Sequence, residues 1–337
     1  MKVDFVIGVQ YGDEGKGKIT HHLCKERPYT HVLRFNGGCN AGHTIYHNGK
    51  KFVTHHIPAG VFWGIRSVIG NGCVLDPDQF RSEIEYLEAN GVETENLIFV
   101  AENTHVILPE HKEEDGKDTS IGTTKRGNGP AYRNKYNRSG ITVAEYAKEN
   151  EWLKPYIVDL YEELHSLGKN AYVLCEGAQG FGIDIDWGDY PYVTSSHCTT
   201  AGALLNGIPP QATWEVWGGA KCYETYVGAK QFQADDPAFA EIQRVGQEFG
   251  ATTGRVRQVN WLNLNTLRKS VNINGITHLV LNKMDILEEV GIWSMIADGE
   301  VLEFTNRASF ELAVKADLNR YCPLIEEIHF SDSPHKI

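Results

Sequence analysis

The feature that most constrains this chain is a series of short apolar segments rich in β-branched residues, with helical patterns between several of them. Phe5 to Val9, Val32 to Phe35, Ser67 to Ile69, Leu97 to Val100, Tyr172 to Leu174 and Leu279 to Leu281 read as strands. Near-continuous apolar strands belong to a sheet covered on both faces, and alternation with helices makes that sheet mostly parallel. Phe80, Ile84 and Leu87 share one helical face; Asp76 can cap that helix, Pro77 suits its first position and Gly91 its end. Trp152, Ile157, Leu160 and Leu164 form a second, less regular helical stripe, and Pro109 to Thr124 reads as a loop whose charged first part, HKEEDGKD, is solvated chain. No repeat or linker divides the chain. The expectation is one α/β catalytic domain over residues 1–337, with a large, mostly parallel central sheet flanked by helices and long active-site loops.

Charge and cysteine usage exclude several classes. A net charge of −12 lacks the basic footprint of a nucleic-acid binder. No apolar run reaches the roughly 18 residues of a membrane span, and Met1 to Gly8 reads as a first strand rather than a secretory signal. Seven widely spaced cysteines without a CxxC pair argue against a disulfide framework or thiolate zinc, and a reducing cytoplasm fits. Adjacent histidines point to different sides of an element, so neither His21-His22 nor His55-His56 chelates a metal naturally.

Six segments carry chemistry. The first strand leads into Gly12-Asp13-Glu14-Gly15-Lys16-Gly17-Lys18, where a glycine turn and a helix start aim backbone N–H groups at an anion. Ile19 replaces the Ser/Thr usual in such a phosphate loop. Asp13 is costly beside phosphate unless it binds Mg²⁺ or accepts a proton, a structural cap being the bland alternative. Asn36-Gly37-Gly38-Cys39-Asn40-Ala41-Gly42-His43-Thr44 follows the second strand, where α/β ligand sites usually sit, and His43 can donate to a developing oxyanion. Thr123, Thr124, Lys125 and Arg126 suit a second phosphate, which Arg138 could join. Gln179 and Thr194 can read a base edge or phosphate, and Arg255 and Arg257, behind Thr252-Thr253-Gly254, suit carboxylate or phosphate. In Asn282-Lys283-Met284-Asp285 the carboxylate can accept the N1–H and N2–H of guanine.

In this order, QYGDEGKGK, NAGHT, IGTTxRGxGPAY, EGAQG with YPYVTSS, and EFGATTGR resemble the adenylosuccinate synthetase family over roughly residues 3–334. The chain looks like the compact form found in archaea and some viruses. The resemblance implies a P-loop-NTPase-like fold and a homodimer acting on a purine monophosphate, L-aspartate and a triphosphate with Mg²⁺. It implies that Asp13 removes the purine N1 proton, that His43 assists phosphoryl transfer to O6, and that Gln179 stabilises the 6-oxyanion. Mg²⁺ meets the Asp13 carboxylate and the Gly42 carbonyl. The triphosphate site takes Gly12 to Lys18 (Glu14, Gly15, Lys16 and Gly17 among them), Gly42, His43, Thr44 and Arg257, with Lys283, Asp285, Ser331 and Ser333 at the base. The monophosphate site takes Asp13, Asn40, Ala41, Gly42, Thr123, Thr124, Gln179, Thr194 and Arg255, with Arg138 entering from a partner subunit. Thr252, Thr253 and Arg255 hold aspartate.

Three segments depart from the family pattern: Arg255-Val256-Arg257-Gln258, Val227-Gly228-Ala229-Lys230-Gln231-Phe232, and Ser331-Asp332-Ser333-Pro334. Asp285 favours GTP, with ATP or dATP open. A viral branch of the family uses dGMP and carries a small residue in place of the phosphate-loop aspartate. Asp13 favours IMP here, while the compact form and altered loops keep dGMP open; for a viral member the compartment is the host cytoplasm. A GTP-binding switch protein is the rival class, but the phosphate loop lies about 265 residues from NKMD and the middle segments would have no task.

Overall fold

The computed structural model describes residues 1–249 and 254–337. Nine strands form the central sheet: β1 (Lys2–Gly8), β2 (His31–Arg34), β3 (Arg66–Ile69), β4 (Ile98–Ala101), β5 (Ile157–Val158), β6 (Tyr172–Glu176), β7 (Thr213–Lys221), β8 (His278–Asn282) and β9 (Glu327–Phe330). Their order is β9-β8-β7-β1-β6-β2-β3-β4-β5, and every neighbouring pair is parallel. All six segments read as strands lie in it.

The apolar runs follow from burial on both faces. Along β1 the side chains alternate: Phe5 and Ile7 join one core with Leu267, Val271 and Phe310, while Val6 joins another with Ile19 and Leu23. Ile19 and Leu23 belong to α1 (Lys16–Glu26), the helix that follows the first strand. Helix α2 (Pro77–Ala89) starts where its caps place it, with the Asp76 side chain accepting from Gln79 N at 3.4 Å, and buries Phe80, Ile84 and Leu87. A smaller four-stranded sheet joins Tyr223–Tyr226, Gln258–Asn263, Trp293–Ala297 and Glu300–Phe304. Among the described residues no helix is long and apolar enough to cross a membrane.

Two local readings change. The stripe from Trp152 to Leu164 is not one helix: a 3₁₀ turn (Glu151–Tyr156), strand β5 and a short helix (Leu160–His165) divide it. Pro155 lies in that turn and removes a backbone donor, while Asp159 caps the next start by accepting from Tyr161 N and Glu162 N. The charged part of the 109–124 loop is helix α3 (Pro109–Lys117), begun by Pro109 and packed on α4 (Asn128–Asn137), with Asp115 turned inward. Tertiary packing overrides a weak local preference there.

Asp4 fastens the sheet at the base of β1. Fully buried, its Oδ2 accepts from Arg27 at 2.7 Å, Tyr29 at 2.7 Å and Tyr172 at 2.6 Å. Truncating one partner of a buried charged network strands the others, which costs about 3–5 kcal/mol. Asp4→Ala is therefore expected to lower stability by about that amount. A urea midpoint unchanged from wild type would remove Asp4 from this role.

Candidate active site

Because all nine strands run the same way, their carboxyl ends share one edge of the sheet, where α/β folds bind ligands. The segments after β1, β2, β6, β7 and β8 converge there on a cleft of about 1190 Å³. Single-ligand pockets span about 300–1,000 Å³, so this space admits more than one small molecule.

The phosphate loop is braced from within. Glu14 is turned inward, its Oε1 accepting from Gly12 N at 2.7 Å and its Oε2 lying 2.6 Å from Lys16 Nζ. Lys16 also donates to the carbonyl of Gln179, and Asn282 Nδ2 donates to the carbonyl of Glu14 at 2.7 Å. A Cβ on Gly180 would stand 2.4 Å from Glu14 Oε1, so only glycine lets that loop approach. Lys16 is thus spent on the loop itself. Lys18 reaches the C-terminal segment, donating to Ser331 Oγ at 2.8 Å and to the carbonyls of Ser333 and Lys336 at 3.0 Å; burial pulls its pKa down to about 8.

His43 opens the hairpin His43–His47/Lys50–Thr54 and is 5% exposed. Its Nε2 lies 2.6 Å from Arg34 Nη1 and its Nδ1 2.5 Å from Glu176 Oε1, the latter contact lacking hydrogen-bond alignment. Arginine can only donate, so Nε2 is an acceptor and the ring proton sits on Nδ1. Burial, then the nearby Arg34 cation, lowers the His43 pKa to about 4 despite Glu176. Behind this hairpin, Glu83 accepts from the backbone N–H of His55, His56 and Ile57, and His55 Nδ1 meets the Ala41 carbonyl at 2.6 Å. His56 Nε2 accepts from Asp76 N, so the His55-His56 pair is scaffolding.

At the other end, Gln179 Nε2 donates to Asn40 Oδ1 at 3.0 Å, and Asn128 Nδ2 donates to the same oxygen at 2.7 Å. Asn36 fixes this loop from below, accepting from Ala178 N at 2.8 Å. Thr123, Thr124 and Thr194 line the cleft beside them, Thr123 Oγ1 donating to Asp115. Ala41, Gly42 and Thr44 also line it. Arg255 donates to the carbonyls of Gly122 and Thr123 and does not line the cleft. Arg138 lies outside it too, exposed at the end of α4. Thr252 and Thr253 lie outside the described residues.

Asp13, Arg257, Lys283, Asp285 and Ser333 line the end of the cleft around the phosphate loop; Ser331 sits behind it on Lys18. Lys283 Nζ donates to the Gly246 carbonyl. Arg257 bridges two carboxylates, Asp13 Oδ2 at 2.7 Å and Glu248 Oε2 at 2.5 Å. Reading the sequence alone did not single out Arg34, Glu83, Lys221 or Glu248 as functional. Arg34, Glu83 and Lys221 are ordinary charged residues outside the quoted motifs, and Glu248 heads EFGATTGR without a role of its own there; only the long-range partner marks each.

The family model described as adenylosuccinate synthetase matches residues 5–152 and 142–297. The adenylosuccinate synthetase of Phocaeicola vulgatus is 38% identical over 336 residues, covering 86% of this chain and 79% of that protein. That of Chlorobium phaeovibrioides is 39% identical over 354 residues, covering 89% and 81%. A fully ligated adenylosuccinate synthetase from Plasmodium falciparum superposes with a TM-score of 0.82 at 28% identity, covering 99% of this chain and 98% of that one. The succinoaminodeoxyadenylate synthetase of cyanophage S-2L, bound to dGMP and dATP, superposes at 0.78 over 99% of this chain and 93% of its own; at 20% identity it shares the fold.

The contacts around His43 fix an observable. Its imidazole is expected to stay neutral, with the proton on Nδ1, from pH 8 down to pH 5, because its pKa lies near 4. Nitrogen-15 NMR of the imidazole reads this directly. An Nε2–H tautomer, or a charged ring at pH 6, would contradict the arginine contact.

Proposed function

The chain belongs to the adenylosuccinate synthetase family, ligases that form a C–N bond, and we propose that this cleft joins the amine of L-aspartate to C6 of IMP, with GTP as phosphoryl donor. The observation that carries this reading is the meeting of the phosphate loop, the NAGHT hairpin, Gln179, Thr123, Thr124, Thr194 and Asp285 around one space large enough for several substrates.

In this reading Asp13 takes the N1 proton, electron density moves onto O6, and O6 attacks the γ-phosphorus as its bond to the bridging oxygen breaks and GDP leaves. Phosphorylation turns a poor leaving group into a good one, and the aspartate amine then displaces phosphate at C6. His43 donates to the transferring group, which requires its Nε2 to leave Arg34 and to carry a proton in place of the one now on Nδ1. Gln179, already held by Asn40, steadies the oxyanion, and Arg257 meets the triphosphate. Asn40, Thr124 and Thr194 hold the monophosphate, and Thr252, Thr253 and Arg255 the aspartate. Oxygen donors suit a hard divalent cation, so the Asp13 carboxylate and the Gly42 carbonyl would hold Mg²⁺, which neutralises phosphate charge when bound.

IMP is preferred to dGMP because a 2-amino group would crowd or divert the carboxylate that must approach N1. Residues 1–337 act as one catalytic domain, a reading supported by a sheet that draws strands from residue 2 to residue 330. Seven buried, unpaired cysteines support a reducing cytoplasm. The exposed Arg138, which does not line its own cleft, supports a homodimer in which it completes the neighbour's monophosphate site.

The test is condensation. With aspartate, Mg²⁺ and each pairing of IMP or dGMP with GTP, ATP or dATP, mass spectrometry is expected to find the succinyl product fastest from IMP and GTP. Asp13→Asn should slow it by about 10²–10⁴-fold, the usual range for a general base. A higher kcat/KM for dGMP would overturn the acceptor assignment, and near-wild-type turnover in Asp13→Asn the base.

Assembly has its own experiment. Inactive Arg138→Leu and inactive Asp13→Asn subunits, once mixed, should regain activity through hybrid dimers holding one intact site. Demonstrated subunit exchange with no recovery would rule out a shared site.

A further inference from the structure

Behind the triphosphate end of the cleft lies a group of four charged side chains of which only two, Asp13 and Arg257, have a task. Glu248 is fully buried and Lys221 is 2% exposed. Glu248 Oε1 accepts from Tyr223 OH at 2.6 Å and from Lys221 Nζ at 3.1 Å; its Oε2 accepts from Lys221 at 2.9 Å and from Arg257 Nη1 at 2.5 Å. Lys221 also donates to Thr225 Oγ1 at 2.9 Å. Lys221 ends a strand of the central sheet, and Tyr223 and Thr225 belong to the smaller sheet. The carboxylate, carried on the chain just after the helix Ala238–Gly246, is therefore gripped by one side chain from each sheet.

Arg257 consequently has two unequal partners. Glu248 is buried and hydrogen-bonded through both oxygens; Asp13 is on the phosphate loop and more than a third exposed. Arg257 Nε is buried and has no hydrogen-bond partner among the described residues. A cluster of this kind is a poor stability device, because desolvating Glu248, Lys221 and most of Arg257 offsets much of their attraction and apolar residues would pack as well. Its geometry instead suits recognition. One guanidinium nitrogen is pinned, so the remaining donors hold their direction before an anion arrives, and less rotamer freedom is lost on binding. An arriving phosphate competes with the exposed Asp13, not with Glu248.

We propose that Glu248, clamped by Lys221 and Tyr223, is a positioning residue that aims Arg257 at the phosphate chain of the triphosphate. This rests on the reading of Arg257 as a triphosphate contact.

The experiment compares Glu248→Gln, Glu248→Asp, the double variant Lys221→Met/Glu248→Gln, and Arg257→Met. Each is measured for calorimetric Kd of a non-hydrolysable GTP analogue, for KM of GTP and IMP, and for melting temperature. Glu248→Gln is expected to raise the triphosphate Kd and KM about tenfold, with the IMP KM changed by less than about twofold. The double variant removes one charge of each sign, so the cluster stays balanced. It is expected to melt near wild type yet keep the triphosphate defect. Should Glu248→Gln fail to fold, Glu248→Asp, which keeps the charge and withdraws the carboxylate, is expected to show the same split. Wild-type triphosphate affinity in the double variant would overturn the proposal and leave Glu248 as a balancing charge. Arg257→Met separates the two readings: if it binds the analogue as wild type does, the triphosphate role of Arg257 fails and the positioning role with it. If it binds tenfold more weakly while the Glu248 variants do not, positioning alone fails.

Discussion

The buried pair of Glu14 and Lys16 is the joint on which the cleft depends. Its members sit two residues apart in the phosphate loop and reach outward to two other segments, Lys16 to the Gln179 carbonyl after β6 and the Glu14 carbonyl to Asn282 at the end of β8. An ion pair shielded from water tolerates no vacancy, since either charge alone would be stranded in a low-dielectric interior. The loops after β1 and β6 and the end of β8 are therefore held in one mutual arrangement before any substrate binds. The glycines at 8 and 180 serve the same joint: a side chain at either would meet the Glu14 carboxylate.

The same principle governs the reactive groups. Asp13 and His43, the base and the proton donor of the proposed chemistry, each lie against an arginine, and each arginine leans on a buried glutamate. Positive charge is thus concentrated and pre-paired along the cleft while the chain as a whole stays acidic. Local phosphate recognition and a net charge of −12 are compatible because screening confines each field to its surroundings. His43 as found gives no proton to the cleft, so ligand binding must include a change in its partners.

Much of the scaffold was legible before the structure. The six apolar segments became strands because burial on both faces leaves a composition that no surface element shares. Helix α2 was readable to its first residue, because capping is local chemistry between Asp76 and Gln79. The misread stretches were those where local preference is weak. HKEEDGKD has no apolar stripe, and only Pro109, the inward turn of Asp115 and packing on α4 make it a helix. The stripe from Trp152 to Leu164 has helical spacing, but Pro155 and the cap at Asp159 divide it.

By itself the sequence determined the order of strands and glycine turns, and the chemical types offered at each turn: carboxylate, lysines, amide, imidazole and arginines. These are short-range properties, written in neighbouring residues. Only the tertiary structure decided which of those groups face the cleft and which are consumed in holding it. Lys16 and Lys18 look equivalent in the motif, yet one closes on Glu14 and the other on Ser331, 313 residues away. Glu248 is only the first letter of EFGATTGR, and Lys221 looks like any lysine, until the fold buries them against Arg257. The reason is electrostatic: a charge's role depends on its counter-charge and on the water it has lost, and both are set by residues far away in the chain.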